Sequence, residues 1–360
     1  MNDVSGHVAT AEKMAGLPVN MNPHGERVVL AHGGGGQLTG ELIEEIIRPR
    51  LSNVILSEFD DAGVFGVDGG RMAFSTDSYV VQPIEFPGGD IGRLAVSGTV
   101  NDLAVFGAEP RYLSIGLILE EGLELSLLRR VVDSIAAAAA EAGVVVITGD
   151  TKVVARGQAD KIYINSAGIG VIPDEVNISM KRINAGDRVL INGTIADHGM
   201  AVMLQREEGM GIESELRSDA APLNGMIGEL LEACGEDVVF MRDPTRGGLA
   251  GVVSDLAEET GLHLCIDETR IPIRKETHYA AEMLGLDVLD VANEGKVVVV
   301  VREGSAEKAL GVMRGHALGH HGEEIGGFTE KRDGLCELVT EVGGRRIIQK
   351  PYGEELPRIC

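Results

Sequence analysis

Cysteine is scarce in this chain of 360 residues: there are four, at 234, 265, 336 and 360, and no two form a C-x-x-C pair. That spacing argues against a disulfide framework or a paired-cysteine zinc site, and it makes a reducing cytoplasm the expected compartment. Positive charge is short as well, with 32 Lys and Arg against 56 Asp and Glu and a net charge of −24. Nucleic-acid binding rests on a basic surface that neutralises phosphates, and no Lys/Arg cluster of that kind occurs. Long apolar runs are missing too: none approaches the roughly 18 residues that span a bilayer, so no membrane partner is expected. Residues 1–22 hold Glu12 and Lys13 and no apolar stretch, so no signal peptide is expected. Neither G-x-x-x-x-G-K-S/T nor G-x-G-x-x-G occurs, which removes the P-loop and the Rossmann fingerprint. An acidic protein that handles phosphate without either device needs a divalent metal as intermediary.

What the chain does have is the composition of a folded soluble protein, 44% hydrophobic and 24% charged, with length enough for two cores. Strand-like runs fall at Arg71 to Thr76, Tyr112 to Leu119, Val144 to Thr148 and Ile162 to Ile172. They recur at Arg188 to Asn192, Leu262 to Asp267, Lys296 to Val301 and Cys336 to Thr340. Helical spacing covers Leu38 to Ile47, Ile91 to Phe106, Glu124 to Ala142, Met200 to Glu207, Leu223 to Cys234, Gly248 to Thr260, Lys275 to Leu284 and Ser305 to His316. The polar stretch Pro173 to Asp187 marks the domain boundary. A mixed α and β protein with two lobes is expected.

Three constellations carry chemistry. His32-Gly33-Gly34-Gly35-Gly36 precedes the Leu38 helix, and its N–H groups suit a phosphate; a flexible linker is the plainer reading. Acidic residues recur at expected strand ends and turns: Asp60-Asp61, Thr76-Asp77-Ser78, Asn101-Asp102 within a helix, and Gly149-Asp150-Thr151-Lys152. Singly each reads as a turn former or a cap. Together, beside a glycine loop, Asp60, Asp77, Asp102 and Asp150 read as hard oxygen ligands for Mg²⁺ on a nucleotide. In the second half, Asp197-His198-Gly199, Arg242 to Gly248 and Asn293-Glu294-Gly295-Lys296 each put charge at an element terminus. Arg246 before Gly247-Gly248 is a candidate anion site, with a helix cap as the alternative.

The chain stops at a nucleophile. Glu354-Glu355-Leu356-Pro357-Arg358-Ile359-Cys360 ends in a thiol, with Gly353 as a hinge and Pro357 favouring extended backbone. From Lys350 to Cys360 an extended chain spans roughly 35 Å at about 3.5 Å per residue, enough to reach an active site.

On these motifs the sequence resembles the HypE family of hydrogenase maturation proteins, within the PurM or aminoimidazole ribonucleotide synthetase-like superfamily. The resemblance runs from about Val28 to Cys360. It rests on Ala31 to Gly36, Thr76 to Ser78, Phe86-Pro87-Gly88-Gly89, Gly98 to Asp102, Gly149 to Val153, Asp243 to Gly248, Asn293 to Lys296 and above all the tail Pro357-Arg358-Ile359-Cys360. It implies an α+β PurM-like fold: an N-terminal extension over 1–27, an ATP-binding domain over 28–173, a second domain over 174–348, and a flexible tail over 349–360. It implies ATP and Mg²⁺ at His32, the glycines 33–36, Asp77, Asn101, Asp102, Asp150 and Arg246, with Asp60 as a further metal ligand. It also implies a carbamoyl group loaded on Cys360 by HypF and dehydrated to a thiocyanate, with Glu294 as base, Lys152 as charge partner and His198 as a weaker candidate. Cyanide then passes to iron on a HypC–HypD complex for NiFe hydrogenase, and the enzyme is a homodimer whose N-terminal sheets pair into a barrel. The rival readings are a selenophosphate synthetase, a thiamine-phosphate kinase or a non-catalytic scaffold. The region of the glycine loop lacks the cysteine of the first, and a kinase needs no terminal thiol.

Overall fold

The computed structural model describes residues 36–47, 62–67, 69–206, 214–353 and 358–360. The expectations placed on His32, Gly33, Gly34, Gly35 and Asp60, on residues 1–27 and on Pro357 lie outside the described residues.

The N-terminal unit opens with a short helix, α1 (Gln37–Leu42), which continues as a π-helical turn over Ile43–Ile47. Its strands are β1 (Gly63–Val67), β2 (Gly70–Tyr79), the two-residue β3 (Glu85–Phe86) and β4 (Gly89–Asp90), β5 (Glu109–Glu120), β6 (Val145–Val154) and β7 (Ile162–Ile172). Five of them form one sheet in the order β1-β2-β7-β5-β6, with β6 at an edge. Helices α2 (Ile91–Val105) and α3 (Leu125–Ala142) cover one face. Asp90 caps α2 by accepting from the backbone of Gly92 and Arg93 at 2.7 and 2.9 Å. Nearly every residue of α2 is buried, so it carries apolar or small side chains all round, as a helix inside a domain must. Gly98 is one of them because a Cβ there would meet the Tyr79 hydroxyl at 2.2 Å. Leu94, Val100, Leu113, Ile162 and Ile164 form the centre of this core.

The second unit holds a seven-stranded sheet ordered β14-β13-β10-β12-β8-β11-β9. Its strands are β8 (Arg188–Ile191), β9 (Val238–Arg242), β10 (His263–Asp267), β11 (Val298–Val301), β12 (Glu323–Thr329), β13 (Cys336–Val339) and β14 (Arg345–Ile348). The helices are α4 (Asp197–Arg206), α5 (Asn224–Cys234), α6 (Gly248–Thr260), α7 (Lys275–Leu284) and α8 (Ala306–Gly315). The four valines of β11 are all buried, the continuous apolar run of a strand covered on both faces.

Two placements correct the sequence reading. Asp77 and Asp150 were expected just beyond strands, yet Asp77 lies within β2 and Asp150 in the middle of β6. β6 does not stop at Gly149, because β-branched residues resume at Thr151 and the whole segment pairs in parallel with β5. An extra residue enters the ladder opposite Leu113 and Ser114, and Gly149 accommodates it where a Cβ would sit 2.4 Å from the Ile115 carbonyl oxygen.

Candidate functional site

The two units meet around a polar pocket of about 330 Å³ whose lining includes Asp77, Asp102, Arg242, Asp243, Arg246 and Lys350. Asp77 and Asp102 reach it from neighbouring layers. Ser75, Asp77 and Tyr79 alternate onto the helix-covered face of β2, so Ser75 donates to Asp102 of α2 at 2.6 Å. The Tyr79 hydroxyl donates to Asp77 at 3.2 Å, and burial followed by the charges of Asp77, Glu294 and Asp102 holds that phenol well above its usual range.

Arg246 comes from the opposite unit. The chain turns through left-handed glycines, Gly247 at φ 75° and Gly248 at φ 60°, and a Cβ on Gly248 would collide with Leu289. That turn starts α6 and leaves Arg246 beside Asp77, Nη2 to Oδ1 at 3.3 Å. The charge on Cys360 is the chief cause that raises the Arg246 pKa, with desolvation opposing it and Asp77 assisting. The end of the chain therefore lies within electrostatic reach of the pocket.

Cys360 is half-buried there. Val80 donates its backbone N–H to the α-carboxylate of Cys360 at 3.2 Å, and Gln82 donates to the Arg358 carbonyl at 3.1 Å, so residues 358–360 run antiparallel to the segment that follows β2. The Arg358 side chain donates to Val80 O at 2.8 Å and to Asp160 at 2.6 Å, and Arg206 also donates to the Arg358 carbonyl. Ile359 is 3% exposed and belongs to the N-terminal core.

His198, fully buried at the start of α4, binds the tail as well. Its Nε2 lies 3.0 Å from the Ile359 carbonyl and its Nδ1 2.8 Å from the Ser218 hydroxyl. Burial is the main cause that depresses its pKa to about 4. Both ring nitrogens are engaged, so His198 has no lone pair directed at a reacting group.

Glu294 lies outside the lining but within electrostatic reach of Asp243, Asp77 and Arg246. Asn293 is pinned by Ala196 N, Pro244 O and Val291 O, and Gly295 gives way to Asp219, whose carbonyl oxygen would lie 2.0 Å from a Cβ. Between these anchors the Glu294 carboxyl is 3% exposed, and its Oε2 has no hydrogen-bond partner among the described residues. Burial first, then Asp243 and Asp77, raises its pKa well above the carboxylate range, while Arg246 works the other way. Lys296 pairs with Asp219 behind it.

Four expected site residues stand apart from this pocket. Asp150 is in register with Gly116, Asn165 and Ser78, which places it on the open face of the sheet, opposite to Asp77. Three strand spacings separate the two positions, about 14 Å at 4.7–4.9 Å each. Lys152 is exposed beside it and pairs with Asp150 at 2.8 Å. Asn101 is fully buried and joins the units: Nδ2 donates to Ala221 O and Glu294 O, and Oδ1 accepts from Leu223 N. Gly36 starts α1, yet the N–H groups of Gln37 and Leu38 are taken by Pro351 and Tyr352 carbonyls at 3.1 and 3.3 Å. Among the described residues no three His, Cys, Asp or Glu side chains gather as a metal site would. Asp77 and Asp102 line one pocket with oxygen donors of the type Mg²⁺ prefers, so the pair fits a metal that takes its other ligands from water and phosphate.

Sequence reasoning missed Tyr79, Asp160, Arg206 and Ser218. Ser218 lies 20 residues from the imidazole it touches and Asp160 198 from Arg358, and neither stands in a motif.

Two family models match the chain: AIR synthase related protein, N-terminal domain, over residues 59–172, and its C-terminal domain over 184–336. Carbamoyl dehydratase HypE of Rhizobium leguminosarum bv. viciae is 46% identical over 334 residues, 93% of this chain and 95% of that one. Among solved structures, a HypE–HypF complex matches with a TM-score of 0.81 at 44% identity, covering 86% of this chain and 99% of that one. HypE in complex with ATP matches with a TM-score of 0.77 at 43% identity, covering 93% and 100%.

Proposed function

The chain belongs to the HypE family of carbamoyl dehydratases, and from that premise we propose that it spends ATP to dehydrate a carbamoyl group carried on Cys360. The observation that carries the reading to particular residues is the seat of the tail, with the Cys360 α-carboxylate held by Val80 and the residue's charge felt by Arg246. A relative crystallised with HypF supports HypF as the carbamoyl donor, and one crystallised with ATP supports ATP as co-substrate.

An amide oxygen is a poor leaving group, so it must first be phosphorylated. The carbamoyl oxygen attacks the γ-phosphorus and ADP leaves. The C–O bond then breaks, phosphate departs, and the nitrogen releases two protons as S–C(=O)NH₂ becomes S–C≡N. Arg246 faces the phosphoryl charge in this arrangement. Glu294 is the base: a carboxylate whose pKa is raised by burial takes a proton more avidly than an exposed one. Arg246 favours the ionised form of this carboxyl, against burial and the charges of Asp243 and Asp77. Asp77 and Asp102 would hold Mg²⁺, which would supply charge neutralisation on the phosphates. Hydrolysis at the acyl carbon would undo loading, so the step needs water excluded there; Ile359, next to the thiol, is buried.

Asp150 and Lys152 enter through a second copy. Phe74, Ile169, Tyr112 and Val145 form one cross-strand row on the open face of the sheet, and three of the four are large exposed apolar side chains. Pairing that face with its equivalent in a homodimer buries the row and carries Asp150 and Lys152 toward the other protomer's cleft. The product thiocyanate is the cyanide donor for iron on a HypC–HypD complex, in NiFe hydrogenase maturation.

The test is the mass of the C-terminal peptide after incubation with carbamoyl phosphate, HypF and ATP. Covalent loading on the thiol adds about 43 Da and dehydration leaves about 25 Da. Cys360→Ala should abolish both; carbamoylation of that variant sinks the reading.

A further inference from the structure

The motif Phe86-Pro87-Gly88-Gly89 has no part in the chemistry above, yet it supports His198, which with Arg206 joins the tail to the second unit. Pro87 O accepts from Ser218 N at 2.7 Å. Gly88, at φ 98°, lets the Ser218 backbone approach so closely that a Cβ would lie 2.4 Å from its carbonyl oxygen. The Phe86 ring meets the His198 imidazole edge-on, 5.5 Å between centroids at 79°. Ser218 Oγ accepts from Ala220 N at 3.1 Å, so its own proton is free to donate to His198 Nδ1 at 2.8 Å. That leaves the imidazole proton on Nε2. The partner there is the Ile359 carbonyl, which can only accept. The Ile359 end thus demands the Nε2–H tautomer, and the Ser218 end accommodates it.

We propose that His198 is a positioning residue for the dehydration step: a neutral imidazole, in the Nε2–H tautomer that Ser218 accommodates, that latches the tail through the Ile359 carbonyl and so sets where Cys360 stands. The latch deepens the dehydratase reading and rests on it. Its place in the peptide is selective, since it grips the residue before the thiol and leaves the thiol itself untouched. Burial keeps the ring uncharged, with a pKa of about 4, so the donor remains in place at neutral pH. Arg358 adds the complementary feature. It holds a left-handed φ of 57°, unfavourable for a side chain with Cβ, while its guanidinium is tied to Asp160 and Val80. The docked tail is therefore held by specific partners against a backbone cost, and removing one partner shifts it outward.

The experiment measures the alkylation rate of Cys360 by iodoacetamide on the full-length protein, and the single-turnover dehydration of protein preloaded by HypF. His198→Ala should alkylate about fivefold to tenfold faster and dehydrate slower by a similar factor, the change that one neutral hydrogen bond makes to an equilibrium. His198→Gln, whose side-chain amide reaches the Nε2 position as a donor, should restore both rates. Ser218→Ala and Gly88→Ala should move them in the same direction as His198→Ala. ATP binding and loading by HypF should persist throughout. Unchanged alkylation in a folded His198→Ala protein overturns the latch, as does a folded His198→Gln protein that restores nothing. Should His198→Ala not fold, Ser218→Ala decides: an unaltered rate there overturns it. Loss of HypF loading in the unaltered protein would strike the dehydratase reading and leave the tail's seat to be judged by alkylation alone.

Discussion

Asp77 and Asp150 look alike in the sequence, each an acidic residue among hydroxyl neighbours, and they end on opposite faces of one sheet. Asp77 lies against the helices, hydrogen-bonded to Tyr79 and paired with Arg246. Asp150 stands in the open, paired with its neighbour but one, Lys152, on an edge strand exposed along nearly its whole length. The difference is one of parity. A strand turns successive side chains to opposite faces, so the register of pairing decides which carboxylate meets the cleft of its own chain. Asp77 reaches the cleft of its own chain; on the proposed reading Asp150 serves the cleft of a second copy.

The largest test of that contrast concerns the cleft. Glu294→Gln keeps the shape and removes the base, so loaded protein should stall at the higher peptide mass, with dehydration slowed roughly 10²- to 10⁴-fold. Loading should be normal, because it takes place with the thiol outside. Dehydration at the native rate would move the proton to another group.

Mixed dimers test the open face. Lys152→Ala alone and Cys360→Ala alone should each be inactive in dehydration. If Lys152 serves the partner's cleft, a mixed dimer has one complete site, made of the thiol of one protomer and the lysine of the other. Equal mixing should then restore about a quarter of native activity, since half the symmetric dimers are mixed and each has one working cleft. No recovery after verified subunit exchange would place Lys152 in its own protomer's site.

Much of this was legible beforehand, and the failures have one cause. β7, α6 and α7 follow from local periodicity and fall on their expected residues. The strands β1, β3, β4, β9, β12 and β14 were missed; β3 and β4 have two residues each, β12 is interrupted by Gly326 and Gly327, and β14 begins with two arginines. At the site, motifs marked Arg246, Glu294 and Cys360, because their glycines and charges are consecutive. They could not show that Asn101 faces away from the pocket or that Ser218 serves His198, since those are contacts between distant segments.

Asn101 supplies a smaller effect. Its amide satisfies Leu223 N, Ala221 O and Glu294 O, so Asn101→Ala leaves buried polar groups unpaired and should cost about 2 kcal/mol or more of stability. Denaturant titration checks the stability, and calorimetry checks ATP affinity at a temperature where the variant is folded. Affinity lost in step with stability would fit a role as joint between the units. Affinity lost in a fully folded protein would return Asn101 to the nucleotide site.

The smallest expected effect is a pair of opposite signs. Glu294 has a raised pKa in the folded protein, so the folded state holds a proton that the unfolded chain releases at about pH 4.5. The stabilisation from that bound proton is complete below the unfolded value and is lost as pH climbs toward the folded one. Glu294→Gln removes the dependence, so its melting temperature should gain on the unaltered protein as pH rises. Asp150 is shifted the other way, chiefly by the Lys152 hydrogen bond, so its contribution is present at neutral pH and fades as the solution becomes acid. Because the pair is fully exposed, water and salt screen it, and Asp150→Asn should barely move the melting curve. Melting temperatures of both variants across pH 4 to 9 separate the two regions. A native protein that instead gains on Glu294→Gln with rising pH would mean the folded cleft stabilises the ionised carboxylate, so that Arg246 and its neighbours outweigh burial and the base is already deprotonated before nucleotide arrives.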